Sequence, residues 1–248
     1  MSRPPAARLD RLLANLGYGS RREVQHLIAV GQVVLDGGAV RDAGRRLPVT
    51  ADLAQRMRVS GAPLDPPAPL TLILHKPAGV VCSHREAGRS VYELLPPRWR
   101  RRDPLLSTIG RLDVDTTGLI LITDDGPLLH KIIAPRSHVA KRYHVTLDRP
   151  LEGHEAGLFA AGTLALESET DPLASAVLEP LSATTCRLTV SEGRYHQVRR
   201  MFAAVGNHVT ALHRDRIGAL DLPVDLPPGR FRILSDEEKA AVFAPPGN

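Results

Sequence analysis

Apolar residues recur at two periods along this 248-residue chain, and the change of period marks out its elements. Leu9, Leu12, Leu13 and Leu16 fall at i, i+3, i+4 and i+7, the stripe of an amphipathic helix. Gly17 and Gly19 end that helix. Ser20-Arg21-Arg22-Glu23 reads as a capping box opening a second helix, with Val24, Leu27 and Ile28 on its apolar face and Gly31 as its stop. Val33-Val34-Leu35, then Asp36-Gly37-Gly38, then Ala39-Val40 reads as a hairpin. Four prolines in the nine positions 61–69 predict a semi-rigid linker and a domain boundary.

Beyond the linker, strand and helix patterns mix without regular alternation. Leu70–Leu74 reads as a strand broken by a Lys76-Pro77-Ala78-Gly79 turn, and Gly118–Thr123 as a buried strand stopped by Asp124-Asp125-Gly126. Pro127 suits the first turn of a helix through Leu128, Leu129, Ile132 and Ile133, which must end before Pro135. Lys141 to Leu147 alternates, with Tyr143, Val145 and Leu147 on one face. Cys186–Val190 is a further strand, followed by a Glu192-Gly193 turn and a helix whose face holds Val198, Met201, Phe202 and Val205. Ser235-Asp236-Glu237-Glu238 is a second capping box. The predicted class is α+β: a small N-terminal module, then a larger domain with a mixed, mainly antiparallel sheet flanked by helices.

Composition refines this picture. With one Trp, four Tyr and four Phe, the core must be built from aliphatic residues. Of the 32 basic residues four are Lys and 28 Arg, a skew that genome composition explains. Charge is unevenly placed. Residues 1–58 hold ten Arg against five acids, and the remaining 22 basic and 22 acidic residues balance. A basic small module on a neutral larger one suggests a polyanion partner. Two cysteines, Cys82 and Cys186, are too few for a disulfide framework. The opening Met1-Ser2-Arg3-Pro4-Pro5 lacks the apolar stretch of an export signal, and no run is long enough to span a membrane. The expectation is a cytoplasmic protein.

Six segments could carry chemistry. In the small module, Arg21 and Arg22 sit in the first turn of the second helix, where the macrodipole disfavours cations unless an anion shares the site; they are two solvated charges or a phosphate site. Gly110-Arg111-Leu112-Asp113-Val114-Asp115-Thr116-Thr117-Gly118 places an arginine and two carboxylates in a loop feeding a buried strand. Asp113 is a turn residue or a buried carboxylate needing a partner; Asp113-x-Asp115 as a metal pair lacks any accompanying ligand cluster. Tyr143 on its alternating strand is a core residue whose hydroxyl needs a partner. In Glu192-Gly193-Arg194-Tyr195-His196-Gln197-Val198-Arg199-Arg200, helical geometry turns His196, Arg199 and Arg200 away from the core, leaving a solvated face or an Arg199 that reaches a carboxylate. Arg214 and Arg216 share one side of a strand-like segment. Arg98-Trp99-Arg100-Arg101-Arg102 suits phosphates and an unstacked base, or is a solvated loop with Trp99 capping the core.

Two resemblances join these segments. Arg8-Leu9-Asp10, the Ser20-Arg21 turn and Gly31-x-Val33-x-Leu35-x-Gly37 resemble the S4 RNA-binding module. Gly110-Arg111-Leu112-Asp113 with Thr117-Gly118-Leu119, then Lys141-x-Tyr143, then Gly193-Arg194-Tyr195-His196-Gln197-Val198-Arg199-Arg200-Met201-Phe202 resembles the RsuA-type RNA pseudouridine synthases, His196-Gln197 pointing to the small-subunit branch. Lys76-Pro77-x-Gly79 and Leu212-x-Arg214-x-Arg216-Ile217-Gly218 fit as well. The resemblance implies an S4 domain over 1–60, a linker over 61–69 and a catalytic domain over 70–248. It implies isomerisation of one uridine of 16S ribosomal RNA, by analogy position 516, without cofactor or metal, by a monomer. Asp113 is then the essential carboxylate, Arg199 the cation that keeps it charged, and Tyr143 the ring against the released base. Arg111 fills the vacated stack; Lys141, Arg194, His196, Gln197, Arg214, Arg216, Arg21 and Arg22 hold RNA. A non-catalytic S4-type ribosome-associated protein is the competing expectation, as is a metal-dependent glycosyltransferase.

Overall fold

The computed structural model of the chain describes residues 5–50, 52–166 and 169–245. Residues 1–4, which the export-signal expectation concerns, lie outside them. The chain divides into two compact units: the first reaches Leu70 and adds Leu95–Ser107 and Thr123–Asp125, and the second holds Thr71–Leu94, Thr108–Ile122 and the chain from Gly126 onward.

In the first unit α1 (Leu9–Asn15) and α2 (Arg21–Ala29) pack their leucine and valine stripes on a small four-stranded sheet, in which β1 (Val33–Leu35) pairs with Gly38–Ala39 on one side and β2 (Met57–Val59) on the other. The Ser20–Glu23 capping box forms as the sequence predicts: Glu23 N–H donates to Ser20 Oγ at 3.3 Å, and Ser20 N–H to the Glu23 carboxylate at 2.7 Å. Ala62–Pro63, inside the proline-rich segment, adds the outer strand beside β2. The arginine-rich run belongs to this unit as a 3₁₀ turn, Pro97–Arg101. Trp99 is buried in it, Arg102 forms a buried bidentate pair with Asp124, and Arg98 pairs with Asp65 and lies over the Tyr18 ring. The core-capping reading of Trp99 is therefore the one realised; its ring is not presented for a base to stack on.

The second unit is built on a nine-stranded sheet. Its strands are β3 (Thr71–Lys76), β4 (Thr117–Thr123), β5 (Lys141–Leu147), β6 (Val177–Pro180), β7 (Thr185–Val190), β8 (Val209–Ile217) and β9 (Phe231–Ile233), with α3 (Gly126–Ile133), α4 (Gln197–Ala204) and α5 (Asp236–Ala241). The order is β6-β7-β5-β8-β4-β3-β9, with Ser107–Ile109 on β4 and Leu220–Asp221 on β8. The β8–β4 pair is parallel, while β5 pairs antiparallel with both β7 and β8, so the sheet is mixed. Val145 and Leu147 face the core that Val198, Met201 and Phe202 of α4 complete. Among the described residues no helix is long and apolar enough to cross a membrane.

Two local features of the sheet set up the site. Gly118 on β4 lies opposite Arg214 on β8, and a Cβ there would collide with the Arg214 backbone. Glycine is thus required for the strands to approach. The β5–β8 register shifts between Arg142 and Tyr143: Arg142 faces Arg216, Tyr143 faces Arg214, and Asp215 is the extra residue of a bulge. One inserted residue reverses which face the following side chains take.

Candidate active site

The site gathers around a cavity of about 430 Å³ in the second unit, at the junction of the Gly110–Thr116 loop, β5, β8, α3 and the turn into α4. That volume lies in the ordinary range for a small-molecule pocket. Asp113, Tyr143, Arg199, Arg111, Lys141, Arg194, His196, Gln197 and Arg214 all line it, with Ile132, Ile133 and Leu212 among its apolar walls.

Asp113 sits on the loop before β4, in a turn closed by Thr116 N–H donating to its own carbonyl. Lys76, fully buried at the end of β3, fastens this loop. Its ammonium donates to the carbonyls of Thr116 at 2.8 Å, Pro77 at 3.1 Å and Val114 at 3.2 Å, and Gly79 N–H adds a bond to Val114 O. Burial holds the Lys76 pKa below the usual lysine value, opposed by the charges of Cys82, Asp115 and Asp113. In the sequence Lys76-Pro77-Ala78-Gly79 is a turn that fits the family resemblance, with no role for the lysine side chain. A lysine ending an otherwise apolar strand was the available signal.

Around the Asp113 carboxylate, the nearest basic side chain is His196, Nε2 to Oδ1 at 3.2 Å. Arg199 reaches Oδ2 only at 3.9 Å, while its Nη2 donates to Asp115 at 2.7 Å and its Nη1 to the Val209 carbonyl at 2.8 Å. The expected Arg199–Asp113 pairing is therefore shared: Arg199 bridges both aspartates and its tight partner is Asp115. His196 reaches Asp113 because its backbone is left-handed, φ 48°, as the N-cap of α4. Such a conformation in a residue other than glycine costs roughly 1–2 kcal/mol, strain of the kind that collects at functional sites. The exposed Tyr195 ring stacks on His196 at 3.8 Å.

Arg194 and Gln197 border the cavity but spend their polar atoms inside the protein. Gln197 accepts from Arg194 N–H and donates to Glu192, and the Arg194 guanidinium donates to Glu192, Glu169 and the carbonyls of Asp171 and Pro172. They clamp the turn that presents His196. Arg111 lies at the rim, exposed, with its Nη2 on Glu86 at 2.5 Å.

Three residues predicted to hold RNA fall outside this cluster. Arg216 is carried to the opposite sheet face by the bulge at Asp215, where it pairs with Asp221; the prediction that Arg214 and Arg216 share one side is corrected accordingly. Arg21, in the first unit, pairs at 3.1 Å with the buried Asp10, an anion supplied by the protein in place of a phosphate. Arg22 beside it is exposed and has no ion pair among the described residues.

A partly exposed carboxylate answered by cations, opening on a cavity with a tyrosine ring and further cations, defines an enzyme site for a flat polar reactant. The RNA pseudouridylate synthase family model matches residues 71–204 and the S4 domain model residues 7–53. The chain is 45% identical over 239 residues, 95% of its length and 99% of the relative's, to the ribosomal small subunit pseudouridine synthase A of Escherichia coli (strain K12). It is 42% identical over 241 residues, 96% and 99% of the two lengths, to the protein of the same name from Yersinia pestis. A crystal structure of a pseudouridylate synthase superposes with a TM-score of 0.66 at 34% identity, over 95% of this chain and 99% of that one. The chain belongs to the RNA pseudouridylate synthase family and carries an S4 domain. It is an RNA pseudouridine synthase, an isomerase.

Proposed function

We propose that this enzyme isomerises one uridine of small-subunit, 16S ribosomal RNA to pseudouridine, by analogy position 516, with Asp113 as the essential carboxylate. The observation that carries the reading is the placement of Asp113, beside His196 and Arg199, on the wall of a cavity that also presents the Tyr143 ring. The names of the relatives that match nearly the whole chain support the small-subunit substrate.

In this reading the uridine leaves its stack, at a cost of a few kcal/mol, and enters the cavity. Asp113 acts at the sugar–base bond, with the Arg199 guanidinium and the His196 ring facing its carboxylate. Tyr143 offers its ring to the detached base, stacking worth about 1–3 kcal/mol. Arg111 at the rim enters the vacated space, exchanging Glu86 for RNA. His196 joins Arg199 as a group that positions the carboxylate. The reaction takes neither cofactor nor metal. Residues 1–60 serve as the S4 domain, 61–69 as the boundary and 70–248 as the catalytic domain, in a cytoplasmic monomer acting on ribosomal RNA or on a small-subunit assembly intermediate.

The test is tritium release from 16S RNA labelled at C5 of uridine. Wild-type protein releases tritium and Asp113→Asn does not, while both bind the RNA alike. Undiminished release by Asp113→Asn would falsify the assignment, and binding without release by the wild type would return the reading to a non-catalytic S4-type protein.

A further inference from the structure

Most charged residues lining the cavity are answered within the protein. Asp113 faces His196 and Arg199, and Glu192 accepts from Arg194, Gln197 and the backbone N–H of Ala174. Arg214 and Lys141 are different. Arg214 is only 2% exposed, yet no carboxylate among the described residues pairs with it. Its Nε donates to the Leu119 carbonyl at 2.8 Å, its Nη1 reaches the Tyr143 hydroxyl at 3.4 Å, and its buried Nη2 has no acceptor. Lys141 directs its ammonium at one acceptor, the Val139 carbonyl at 2.8 Å, leaving two of three donors unused.

The strands place these cations around one ring. Arg214 lies directly across from Tyr143 in the β5–β8 register, and Lys141 is two residues before Tyr143 on the same strand face. Asp215, next to Arg214 on the strand, points to the opposite face, where Arg142 and His144 occupy it. Two like charges drawn out of water together are costly, and the cost is recovered only when negative charge arrives. The Asp113 side of the cavity needs no more cations; the Tyr143 side holds two that no carboxylate pairs with among the described residues, Glu192 being taken up by Arg194 and Gln197.

We propose that Lys141 and Arg214 receive the negative charge that develops on the uracil when its bond to the ribose breaks. The inference rests on the reading of Asp113 and Tyr143 as the reaction site. When the C1′–N1 bond breaks, its electron pair leaves with the base and spreads from N1 onto O2 and O4. After rotation that charge pushes the C5=C6 π pair onto C1′ to form the C5–C1′ bond, and loss of the C5 proton returns a pair to C5=C6. N1 takes up a proton, so that atoms and electrons balance as an isomerisation. Fixed cations aimed at charge that exists only during the reaction lower its barrier without tightening binding of the neutral uridine.

The experiment uses full-length protein and small-subunit RNA assembled by ligation, carrying tritium at C5 of either uridine or 4-thiouridine at the target position. Sulfur stabilises the departing anion, so cleavage of the thio base needs less help. Lys141→Met is expected to slow single-turnover tritium release from the uridine RNA by on the order of 10²-fold, with the loss on the 4-thiouridine RNA at least several times smaller. Lys141→Arg restores most of the rate, and RNA affinity stays within about twofold. Arg214→Lys, which keeps the charge and a donor for Leu119, retains activity, whereas Arg214→Gln repeats the leaving-group dependence. Equal losses on the two RNAs would overturn the proposal, because a misplaced loop or a loosened sheet cannot distinguish the leaving groups; so would an unimpaired Lys141→Met. Wild-type protein that releases tritium from neither RNA would defeat the underlying site reading, and the inference with it.

Discussion

The tripeptide Arg-Leu-Asp occurs once in each unit, at Arg8-Leu9-Asp10 and Arg111-Leu112-Asp113, and the two copies do opposite things. Both leucines are buried. In the first unit the tripeptide starts α1, and Asp10 is fully buried in its first turn, where it accepts from Arg8, Arg21, Gln25 and the Arg11 N–H. The Arg8 hydrogen bond, outweighing desolvation, leads the contacts that drive the Asp10 pKa far below the usual carboxylate range. In the second unit the tripeptide lies in a loop. Arg111 turns out to Glu86, and Asp113 stays 30% exposed with the His196 ring at 3.2 Å and the Arg199 guanidinium at 3.9 Å. A carboxylate whose lone pairs are all taken is a structural joint. One held by charge at longer range can still react. The difference lies in where the arginine goes, and the local backbone decides that.

The sharpest way to break this comparison is to neutralise each aspartate. Asp113→Asn is expected to lower tritium release by on the order of 10³-fold or more with little change in melting temperature. Asp10→Asn is expected to leave the rate per folded molecule intact and to destabilise the first unit by about 1–3 kcal/mol, since it sets an amide N–H₂ among the Arg8, Arg21 and Gln25 donors. Thermal melts and activity on one preparation check both. The Asp10 stabilisation should be complete above pH about 4 and be lost as pH falls through its depressed pKa, because the folded state releases that proton more readily than the unfolded chain.

Next in size is the brace under Asp113. Lys76→Met strips one donor group from three carbonyls and should cost about 2–4 kcal/mol of stability in the second unit while lowering kcat more than RNA affinity. An unchanged kcat would mean the Asp113 loop keeps its shape without Lys76.

Lys141 sharpens the contrast between groups placed for stability and groups placed for reaction. Burial, with Arg214 adding to it and Glu192 opposing, pushes its pKa down to about 8. A depressed lysine pKa means the folded state pays to keep this charge at neutral pH, and the penalty is relieved as pH rises from about 8 towards the ordinary lysine value of 10.5. Lys141→Met should therefore be more stable than wild type at pH 7, by up to about 2–3 kcal/mol, with the gap closing by pH 10. Urea melts at the two pH values check the sign; a variant less stable than wild type at pH 7 contradicts it. The smallest effect concerns Arg111. Its pair with Glu86 is solvent-exposed, so Glu86→Gln should change stability by no more than about 1 kcal/mol.

Legibility along the chain followed the range of the interactions. Both capping boxes formed where Ser20 and Ser235 precede Glu23 and Glu238 by three residues, because a cap is a contact within one turn. The β5 alternation placed Tyr143 on the face of Val145 and Leu147, since strand periodicity is local. Arg216 was misplaced because its face depends on an extra residue in β8 relative to β5, which no pattern within β8 reveals. Arg21 looked like an open phosphate site because Asp10, its partner, lies eleven residues away on another helix. Trp99 looked available for a base until its turn proved to be part of the first unit's core.

From the amino-acid order alone come the helices and strands, the basic first quarter, and the motifs by which Asp113, Tyr143 and Arg199 announce a pseudouridine synthase. Those depend on residue type and short spacing. Tertiary structure decided the partners: His196 rather than Arg199 nearest Asp113, Lys76 beneath the loop, Arg194 and Gln197 turned inward, Arg214 and Lys141 left without a carboxylate. An ion pair is settled over a few ångströms between segments far apart in the chain, and only the packed sheet with its register shifts sets those distances.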